Sequence, residues 1–483
     1  MTELGRKQLL IGGEWRDASG GATMPVINPA TEAVIAEVAS AAVADVDAAV
    51  AAARVAFAGP WAQLSARDRG RLLWKLGDRL LEKADEFARL ETLHNGKPIF
   101  ESRQIEIPAC VECLQYFAGW ADKVQGETIP AKGNALVYTR REPLGVCAAI
   151  VPWNFPLLSA VWKIAPALAT GNTMILKPAS QTPLTALALG ALALEVGIPA
   201  GVLNVITGSG GVAGQAIVAH PGVDKIAFTG DTTTGRGVMR TAADTVKHLT
   251  LELGGKSPNI VFADADLDAA VRGATIGIFY GKGEVCAAGS RLLVDRAVKD
   301  QFIDKVAART KKMTVGDPLD PKTRFCALAS KAQLEKVLRY VETAKKEGAA
   351  LVAGGARVDI GTGKGFFVQP TMFADVTPGM AIAREEIFGP VLATIEFADV
   401  DEAIARANDS MYGLAAAVWT RDIRKAHYVA SKLQAGTVWV NTYNVYDTAV
   451  PFGGYKQSGF GREMSMHALE HYTQTKTVWV DLN

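Results

Sequence analysis

The sequence predicts an α/β protein with parallel, doubly wound sheets, and three observations support this fold class. From about Leu144, short apolar runs alternate with helical stretches, as in GVCAAIV, TMILK, VLNVIT and KIAFTG. Strand–helix units of this length are typical of parallel sheets covered by helices. A second run of the same kind follows Asp264. The composition, 49% hydrophobic and 21% charged, is that of an ordinary globular protein.

The elements before residue 144 have a different pattern. IGGEW and INPATEAVIAEVA have hairpin character, and residues 43–58 and 65–95 carry apolar side chains at helical spacing. After residue 264 we expect strands at RLLVD, VLATIEF, LAAAVWT and TVWVN, and helices over 298–312 and 331–347. The final segment, KTVWVDLN, reads as a strand without a partner nearby, and we expect it to pair with another subunit.

Charge and cysteine content exclude several classes of protein. The chain has 51 Lys+Arg against 50 Asp+Glu, so we expect no nucleic-acid partner and no charged membrane surface as partner. Five cysteines are too few and odd in number for a secreted disulfide framework. The start, MTELGRKQLLIGGEW, lacks the pattern of a signal peptide, and no apolar run reaches membrane-spanning length. A cytoplasmic protein is therefore expected.

Two motifs suggest metal binding only weakly. Cys110 and Cys113 form a C-x-x-C inside a predicted helix with no second ligand pair, and packing is the favoured interpretation. His467 and His471 lie four residues apart without the H-E-x-x-H order, which favours a helix surface. We expect no metal.

Three residues stand out as candidates for chemistry. Cys286 lies among small residues in GKGEVCAAGSR, where a substrate can approach a thiol; a buried structural cysteine is the alternative. Thiol enzymes that rely on a histidine are disfavoured, because no histidine lies in a comparable turn. Glu252, in LTLELGGKSPN, suits a general base if burial raises its pKa, or a structural hydrogen bond. Asn154, in VPWNFP, is either a turn residue or an oxyanion donor, which is typically worth about 2.7–4 kcal/mol.

Loops after the predicted strands also carry candidates for ligand binding. Lys177 ends one strand, Thr229 and Gly230 end another, and TGSGGVAG is rich in glycine. Ligands of doubly wound sheets bind at the carboxyl ends of the strands. No G-x-G-x-x-G follows the first strand, so the evidence for a dinucleotide from the glycines alone is weak.

Taken together, these segments resemble the NAD(P)-dependent aldehyde dehydrogenase superfamily over nearly the whole chain. The motifs occur in the family's order: PWNFP at 152–156, KPASQTP at 177–183, FTG at 228–230, LELGGKSP at 251–258, GEVCAAGSR at 283–291, EEIFGPV at 385–391 and PFGGYKQSGFGRE at 451–463. The Glu and Cys motifs, whose functional residues lie 34 positions apart, are highly specific as a pair.

The resemblance implies a mechanism. The thiolate of Cys286 attacks the aldehyde, Asn154 and the Cys286 backbone N–H hold the oxyanion, and hydride transfer leaves a thioester. Glu252 activates the water that hydrolyses it, so the hydrolytic branch is favoured over acyl transfer to coenzyme A. Lys163 and Glu463 resemble groups that move protons around Glu252.

The resemblance also implies the cofactor contacts. Lys177 resembles the adenosine-ribose contact, Glu386 resembles the nicotinamide-ribose contact, and Trp153 lines the cleft. The full expected set is Trp153, Lys177, Ser180, Gly210, Gly214, Phe228, Thr229, Gly230, Asp231, Leu253, Glu386 and Phe388.

Three departures from the family pattern are informative. Ser180 replaces a Glu that would repel a 2′-phosphate, so we expect NADP to be accepted as well as NAD. Asp231 replaces a usual Ser beside the pyrophosphate, and we expect its carboxylate to turn away and cap a helix. Gly281 and Lys282 replace the usual Asn-Gln, which suggests a more mobile loop before Cys286.

Family geometry places an aromatic lining around the aldehyde, which suits hydrophobic or aryl substrates. Cation–π contact with an aminoaldehyde or betaine aldehyde is the alternative, with Asp447 close in sequence. Succinate semialdehyde is less favoured because no arginine cluster is present. The expected lining is Phe155, Trp162, Val285, Ala287, Tyr446 and Phe452.

The same resemblance implies three units: a Rossmann-type cofactor domain (1–123 and 144–254), an α/β catalytic domain (255–457) and a small β unit (124–143 and 458–483). The β unit is expected to join subunits into a homodimer or homotetramer. Two other functions stay open on sequence alone: a cofactor-free esterase or thioesterase that uses Cys286, and an inactive structural relative.

Overall fold

The structure is a computed structural model and describes residues 4–483. Its first large sheet has eight strands, of which the five central ones are parallel. In spatial order the strands are Gly459–Phe460, His248–Glu252, Lys225–Thr229, Val146–Ile150, Thr173–Lys177, Leu203–Val205, Leu9–Ile11 and Glu14–Arg16.

The strand order of this sheet creates a ligand-binding crevice. The strand Val146–Ile150 has the strand that follows it in sequence on one side and Lys225–Thr229, which comes later, on the other. The winding direction reverses between these two strands, and ligands of doubly wound sheets bind at such a switch point. The loops with Asn154 and Gly230 leave the sheet on either side of it.

Alternate side chains of the first sheet enter two separate cores, as the period of a strand requires. Cys147 and Ala149 pack against the helices on one face, whereas Val146 and Ala148 pack on the other face with the helix Val43–Ala58. Burial on both faces explains why the central strands are continuous apolar runs.

The second large sheet has seven strands, six of them parallel. It also separates two cores, with Ile260 on one face and Val261 on the other. Its strands in spatial order are Ala350–Ala353, Thr371–Ala374, Val391–Phe397, Arg291–Asp295, Pro258–Val261, Ala415–Trp419 and Thr437–Val440. Two parallel sheets confirm the predicted fold class.

The C-terminal strand lies at the edge of a small sheet, and its expected pairing with another subunit stays a prediction. Thr473–Asp481 pairs antiparallel with Ala135–Pro143 of the same chain, so it has a partner more than 300 residues away in sequence. Thr128–Ile129 completes this three-stranded sheet. Local sequence could not reveal a pairing over that separation. The predicted domain boundaries stay a prediction. Gly459–Phe460 lies in the segment expected to belong to the small β unit, and it extends the first sheet.

Two smaller sheets complete the strands. One contains Arg6–Lys7, Val34–Ala39 and Thr23–Ile27, and the other contains Tyr412–Gly413 and Tyr455–Lys456.

The helices lie close to the predicted positions. The predicted 65–95 segment is divided at Lys83 into Ala66–Glu82 and Ala84–Asn95. None of the helices in residues 4–483 is long and apolar enough to cross a membrane. The α-helices are Val43–Ala58, Pro60–Gln63, Ala66–Glu82, Ala84–Asn95, Ile99–Glu101, Ile107–Trp120, Pro156–Ala169, Leu184–Glu195, Gln215–Ala219, Thr232–Ala243, Leu267–Phe279, Lys299–Lys311, Lys331–Lys346, Ala381–Arg384, Val400–Asn408, Ile423–Lys432 and His467–Glu470. Single turns of other helix types occupy Ser102–Glu106, Gly210–Gly214 and Tyr280–Gly283.

Candidate active site

A side-chain hydrogen bond joins the loop after Val146–Ile150 to the loop that carries Cys286. Nδ2 of Asn154 donates to the backbone carbonyl of Glu284 at 2.8 Å. An amide nitrogen carries two protons, so this bond uses one of them. Because Glu284 precedes Cys286 by two residues, this bond holds the Asn154 amide beside the loop that carries the thiol.

Two glycines bring the end of the strand His248–Glu252 against the same loop. A Cβ atom on Gly255 would lie 2.3 Å from the carbonyl oxygen of Cys286, and one on Gly254 would lie 2.3 Å from Oε2 of Glu386. Oε1 of Glu386 accepts a hydrogen bond from the backbone N–H of Gly255 at 2.9 Å. The Gly-Gly pair after Glu252 therefore permits an approach that side chains would block.

The thiol of Cys286 is only partly exposed to solvent. Burial raises its pKa to about 12, and the nearby carboxylates of Glu386 and Glu252 add to the shift. The thiolate is the reactive form of cysteine. In the protein without ligand, the site therefore keeps the thiol protonated and needs a group that takes its proton.

Glu252 has the environment expected of a general base. Its side chain is buried, and neither carboxylate oxygen has a hydrogen-bond partner within residues 4–483. Burial raises the pKa of Glu252 well above its usual value, and Glu463 adds to this, whereas Lys163 and Arg462 oppose it. An unpartnered buried carboxylate is costly, and such groups are typical of functional sites.

Lys163 and Glu463 lie together, as the sequence predicted. Lys163 is buried, forms an ion pair with Glu463 and donates to Oγ1 of Thr229 at 2.7 Å. Backbone hydrogen bonds in both directions, at 2.8 and 2.9 Å, tie Glu463 to Phe452. These contacts link the Lys163–Glu463 pair to the switch point and to an aromatic residue of the expected substrate lining.

The predicted cofactor residues surround the switch point. Lys177 is buried, donates to the carbonyl of Pro178 at 2.9 Å, and burial lowers its pKa to about 8. A Cβ on Gly214 would touch Cε of Lys177 at 3.6 Å. Oγ of Ser180 donates to the carbonyl of Gly208 at 3.2 Å. Gly210 begins the single helical turn that contains Gly214.

Two glycines at the carboxyl end of the first sheet pack closely against neighbouring side chains. A Cβ on Gly230 would lie 2.6 Å from Cζ of Phe228, and one on Gly235 would lie 2.4 Å from Cδ2 of Leu253. Asp231 turns its carboxylate onto the helix it begins, accepting from the N–H of Thr234 at 2.9 Å. The expected cap is present.

Trp153 and Phe388 close the crevice from the other side. Their rings lie edge to face with centroids 5.2 Å apart. Burial raises the pKa of Glu386 to about 7, and its bond from Gly255 opposes that shift. The contacts of Trp153 with Phe388 and of Glu386 with Gly255 therefore join the end of the first sheet to the loop that carries Glu386.

The predicted substrate residues divide into an aromatic cluster and a small apolar wall. Trp162 and Tyr446 each pack on Phe452 at a centroid distance of 5.7 Å. Phe155 lies further along and stacks on Tyr280 at 6.0 Å. Val285 and Ala287 are buried on either side of the cysteine.

Residues that the sequence analysis missed complete this region. The hydroxyl of Tyr443 donates to the carbonyl of Ala287 at 2.8 Å, and its ring packs on Trp439. Lys97 is buried and donates to the carbonyl of Asn154 at 2.8 Å. The aromatic spacing in WVNTYNVYD was the available signal for Tyr443; nothing local marked Lys97.

The expectation of a mobile loop at Gly281 and Lys282 is wrong. Lys282 is buried, and its Nζ donates to the carbonyl and to Oδ1 of Asn95 at 2.9 and 2.8 Å. It also forms an ion pair with Glu284 at 2.9 Å. The loop is held by charged contacts that its glycine content did not predict.

The C-x-x-C cysteines lie in the helix Ile107–Trp120 and are buried, which confirms the packed helix face. His467 lies in the short helix His467–Glu470, and Nε2 of His471, just after it, accepts from the N–H of Arg462 at 3.0 Å.

Fold and site together define a class of enzyme in which a cysteine loop lies beside the ligand-binding edge of a doubly wound sheet. The sequence profile of the aldehyde dehydrogenase family matches residues 15–478. The human mitochondrial aldehyde dehydrogenase is 49% identical over 98% of this chain and 92% of its own length. The chain therefore belongs to the aldehyde dehydrogenase family, and the resemblance is confirmed.

Solved structures agree closely. An aldehyde dehydrogenase from Bacillus cereus in complex with NAD+ is 50% identical with a TM-score of 0.97, covering 99% of this chain and 97% of its own. An indole-3-acetaldehyde dehydrogenase in complex with NAD+ is 46% identical, with the same TM-score and the same coverage of both chains.

The raised pKa of Cys286 predicts a pH dependence for its reactivity. Because only the thiolate reacts with iodoacetamide, the alkylation rate of the ligand-free protein should rise about tenfold per pH unit from about pH 7 to pH 9. Intact-protein mass spectrometry against a Cys286→Ser control measures it. A rate that levels off below about pH 8 would contradict the burial argument.

Proposed function

We propose that the chain oxidises an aldehyde to the carboxylic acid with NAD(P)+, through a covalent intermediate on Cys286 that Glu252 helps to hydrolyse. One observation carries the proposal. The Asn154 amide, the Cys286 loop and the end of the Glu252 strand meet at one crevice, through a 2.8 Å hydrogen bond and a glycine contact. A nucleophile, an oxyanion donor and a base are the groups that acyl chemistry needs.

The first half of the reaction uses Cys286 and Asn154. The Cys286 thiol loses its proton to a solvent water, and the thiolate sulfur adds to the aldehyde carbon while the carbonyl π pair moves onto oxygen. The Asn154 amide and the Cys286 backbone N–H stabilise that oxyanion. This carbon then loses hydride, for which a nicotinamide held by residues such as Lys177 and Glu386 would supply the acceptor, and Cys286 is left with a thioester as the C–O double bond re-forms.

The second half uses Glu252. Its carboxylate takes a proton from water as the water oxygen attacks the thioester carbon, and the carbon–sulfur bond breaks to release the acid and the thiolate. Lys163 favours the ionised form of Glu252, whereas burial and Glu463 favour the protonated form. The Lys163–Glu463 pair is placed to pass the proton onward.

The crevice residues fit a dinucleotide. The switch point is the expected place for one, and Gly230 and Gly235 leave no room for a Cβ above the sheet. Lys177 offers an ammonium group with one protein acceptor, and Glu386 offers a buried carboxylate; both suit ribose hydroxyls. The related structures bind NAD+, which supports NAD as the cofactor.

The substrate class follows from the aromatic cluster. Trp162, Tyr446 and Phe452 offer stacking surfaces, which suit aryl and aliphatic aldehydes. The relative named for indole-3-acetaldehyde supports an aryl substrate. An aminoaldehyde is the second candidate because the rings could hold an ammonium group. It is the less favoured candidate because one carboxylate oxygen of Asp447 already accepts a hydrogen bond from the N–H of Ala449 at 2.8 Å.

Three further expectations belong to this proposal. A homodimer or homotetramer would use the three-stranded sheet that ends in Thr473–Asp481. The cytoplasm is the expected location. A cofactor-free esterase and an inactive relative are disfavoured, because Glu252 is held unpartnered beside an intact cofactor crevice.

Substitutions at the two central residues test the mechanism. Cys286→Ser should abolish aldehyde-dependent NADH formation while NAD binding persists, because the nucleophile is absent. Glu252→Gln should cut steady-state turnover by roughly 10²-fold or more while one equivalent of NADH still forms rapidly, since the base acts after hydride transfer. Stopped-flow absorbance measures both. Steady turnover by Cys286→Ser would overturn the mechanism.

Cofactor choice tests the role of Ser180. With no carboxylate at 180 to repel a 2′-phosphate, NADP should support turnover with kcat/KM within about 100-fold of NAD, or roughly 2.7 kcal/mol. Ser180→Glu should widen the preference for NAD, and Ser209→Glu is a nearby control for added charge. A wild-type preference for NAD above that limit would refute the prediction.

A panel of aldehydes tests the substrate class. We expect short aliphatic and aryl aldehydes to exceed amino and trimethylammonium aldehydes in kcat/KM by about tenfold or more, or roughly 1.4 kcal/mol. The expected cause is the stacking surface of the aromatic cluster, which favours neutral aldehydes over charged ones. Initial rates with saturating NAD measure the ratio, and the reverse order would establish the aminoaldehyde alternative.

A further inference from the structure

A group of buried charged residues lies behind the active site and has no role in the proposed steps. Lys282 and Glu284 lie in the loop before Cys286. Lys97 lies in the turn after the helix Ala84–Asn95, and Glu106 follows nine residues later. All four side chains are at most 2% exposed. Buried charges are costly unless they are paired, and here they are. Lys97 contacts both oxygens of Glu106 at 2.7 Å.

Lys282 connects the cysteine loop to the end of that helix. Its Nζ binds the carbonyl and Oδ1 of Asn95 and pairs with Glu284. Asn95 in turn donates through Nδ2 to the carbonyl of Trp153 at 2.7 Å. The chain of contacts therefore runs from Lys282 through Asn95 to the loop that carries Asn154.

Glu284 closes this chain of contacts into a ring. Its Oε1 accepts from the N–H of Ala329 at 3.0 Å, which fixes the side chain on the far side from Lys282. Its backbone carbonyl is the acceptor of the Asn154 amide. Lys282 thus binds Glu284, whose backbone carbonyl accepts from the Asn154 amide. It also binds Asn95, which holds the loop that carries Asn154.

The backbone supports a constrained role for Lys282. Its φ of +64° lies in the left-handed region, between Gly281 at +56° and Gly283 at +73°. A non-glycine residue rarely adopts this conformation, and it persists where surrounding contacts impose it. Nζ of Lys282 contacts Asn95 and Glu284 in this conformation.

We propose that Lys282, paired with Glu284 and bound to Asn95, is a positioning residue that orients the Asn154 amide toward the substrate oxyanion. This inference rests on the proposed function in taking Cys286 as the nucleophile and Asn154 as the oxyanion donor. Lys282 touches neither reacting atom. It acts by fixing one N–H of Asn154 on Glu284, so that the other is available to the substrate.

Two reactions of the same thiol separate positioning from general disruption. With p-nitrophenyl acetate, the thiolate adds to the ester carbon, an oxyanion forms, and its collapse expels p-nitrophenolate. With iodoacetamide, the carbon–sulfur bond forms as the carbon–iodine bond breaks, and no oxyanion develops. A displaced Asn154 amide should slow only the first reaction.

The test variant is Lys282→Met/Glu284→Gln, which keeps the net charge while removing the ammonium contacts. We expect the acylation burst to slow roughly 10-fold to 100-fold, a part of the 10²–10³-fold cost of losing an oxyanion donor. Alkylation at the same pH should stay within about twofold. In an Asn154→Ala background, the same pair should change acylation by less than about twofold, because interacting residues are not additive.

Further variants keep the test decisive. Lys282→Gln/Glu284→Gln retains a donor for Asn95 and should restore most of the acylation rate. Asn95→Asp removes the donor to Trp153 but keeps an acceptor for Lys282, and should reproduce the selective loss if the Met variant does not fold. Lys299→Met removes ion pairs with Asp375 and Glu396 far from these loops and should change neither reaction.

The outcomes are distinguishable. Selective loss of acylation supports the positioning role. Acylation and alkylation rates that both stay at the wild-type value, or that both fall by the same factor, would overturn it. An undiminished loss of acylation in the Asn154→Ala background would also overturn it. A wild-type burst that survives Cys286→Ser would refute the proposed nucleophile, and the inference with it.

Discussion

The hydrogen bond from Asn154 to the Glu284 carbonyl is the contact on which the site depends, because it joins the loops of the two large sheets. One loop follows a central strand of the first sheet, and the other precedes a strand of the second. Neither sheet alone carries all three of the residues proposed as nucleophile, oxyanion donor and base. The proposed chemistry therefore requires that the loops of the two sheets pack closely and keep a fixed position relative to each other.

Close packing between these loops has a physical cost that the surrounding residues offset. Gly254 and Gly255 allow backbone and carboxylate to approach where a Cβ would collide. Glu252 is buried without a hydrogen-bond partner among residues 4–483, which raises its pKa and destabilises the folded state above the ordinary pKa of glutamate. The nearby charges of Lys163 and Arg462 offset part of this shift.

Much of this arrangement was predictable from sequence. Strand–helix alternation predicts the parallel sheets, and the family resemblance alone assigns Cys286, Glu252 and Asn154 to one site. What failed depended on distant contacts. The glycines around Lys282 suggested mobility, but its partner Asn95 lies 187 residues earlier. By contrast, the resemblance already grouped the C-terminal strand with the segment that contains its partner, Ala135–Pro143.

The most direct test of the central claim is to locate the covalent intermediate. Glu252→Gln mixed with NAD+ and an aryl aldehyde, then quenched in acid, should carry one acyl group on the peptide that contains Cys286. The other four cysteines are buried, and burial raises the pKa of each thiol, so their peptides serve as internal controls. An acyl group on any of them, or turnover of the aldehyde with no acyl group on Cys286, would contradict the account.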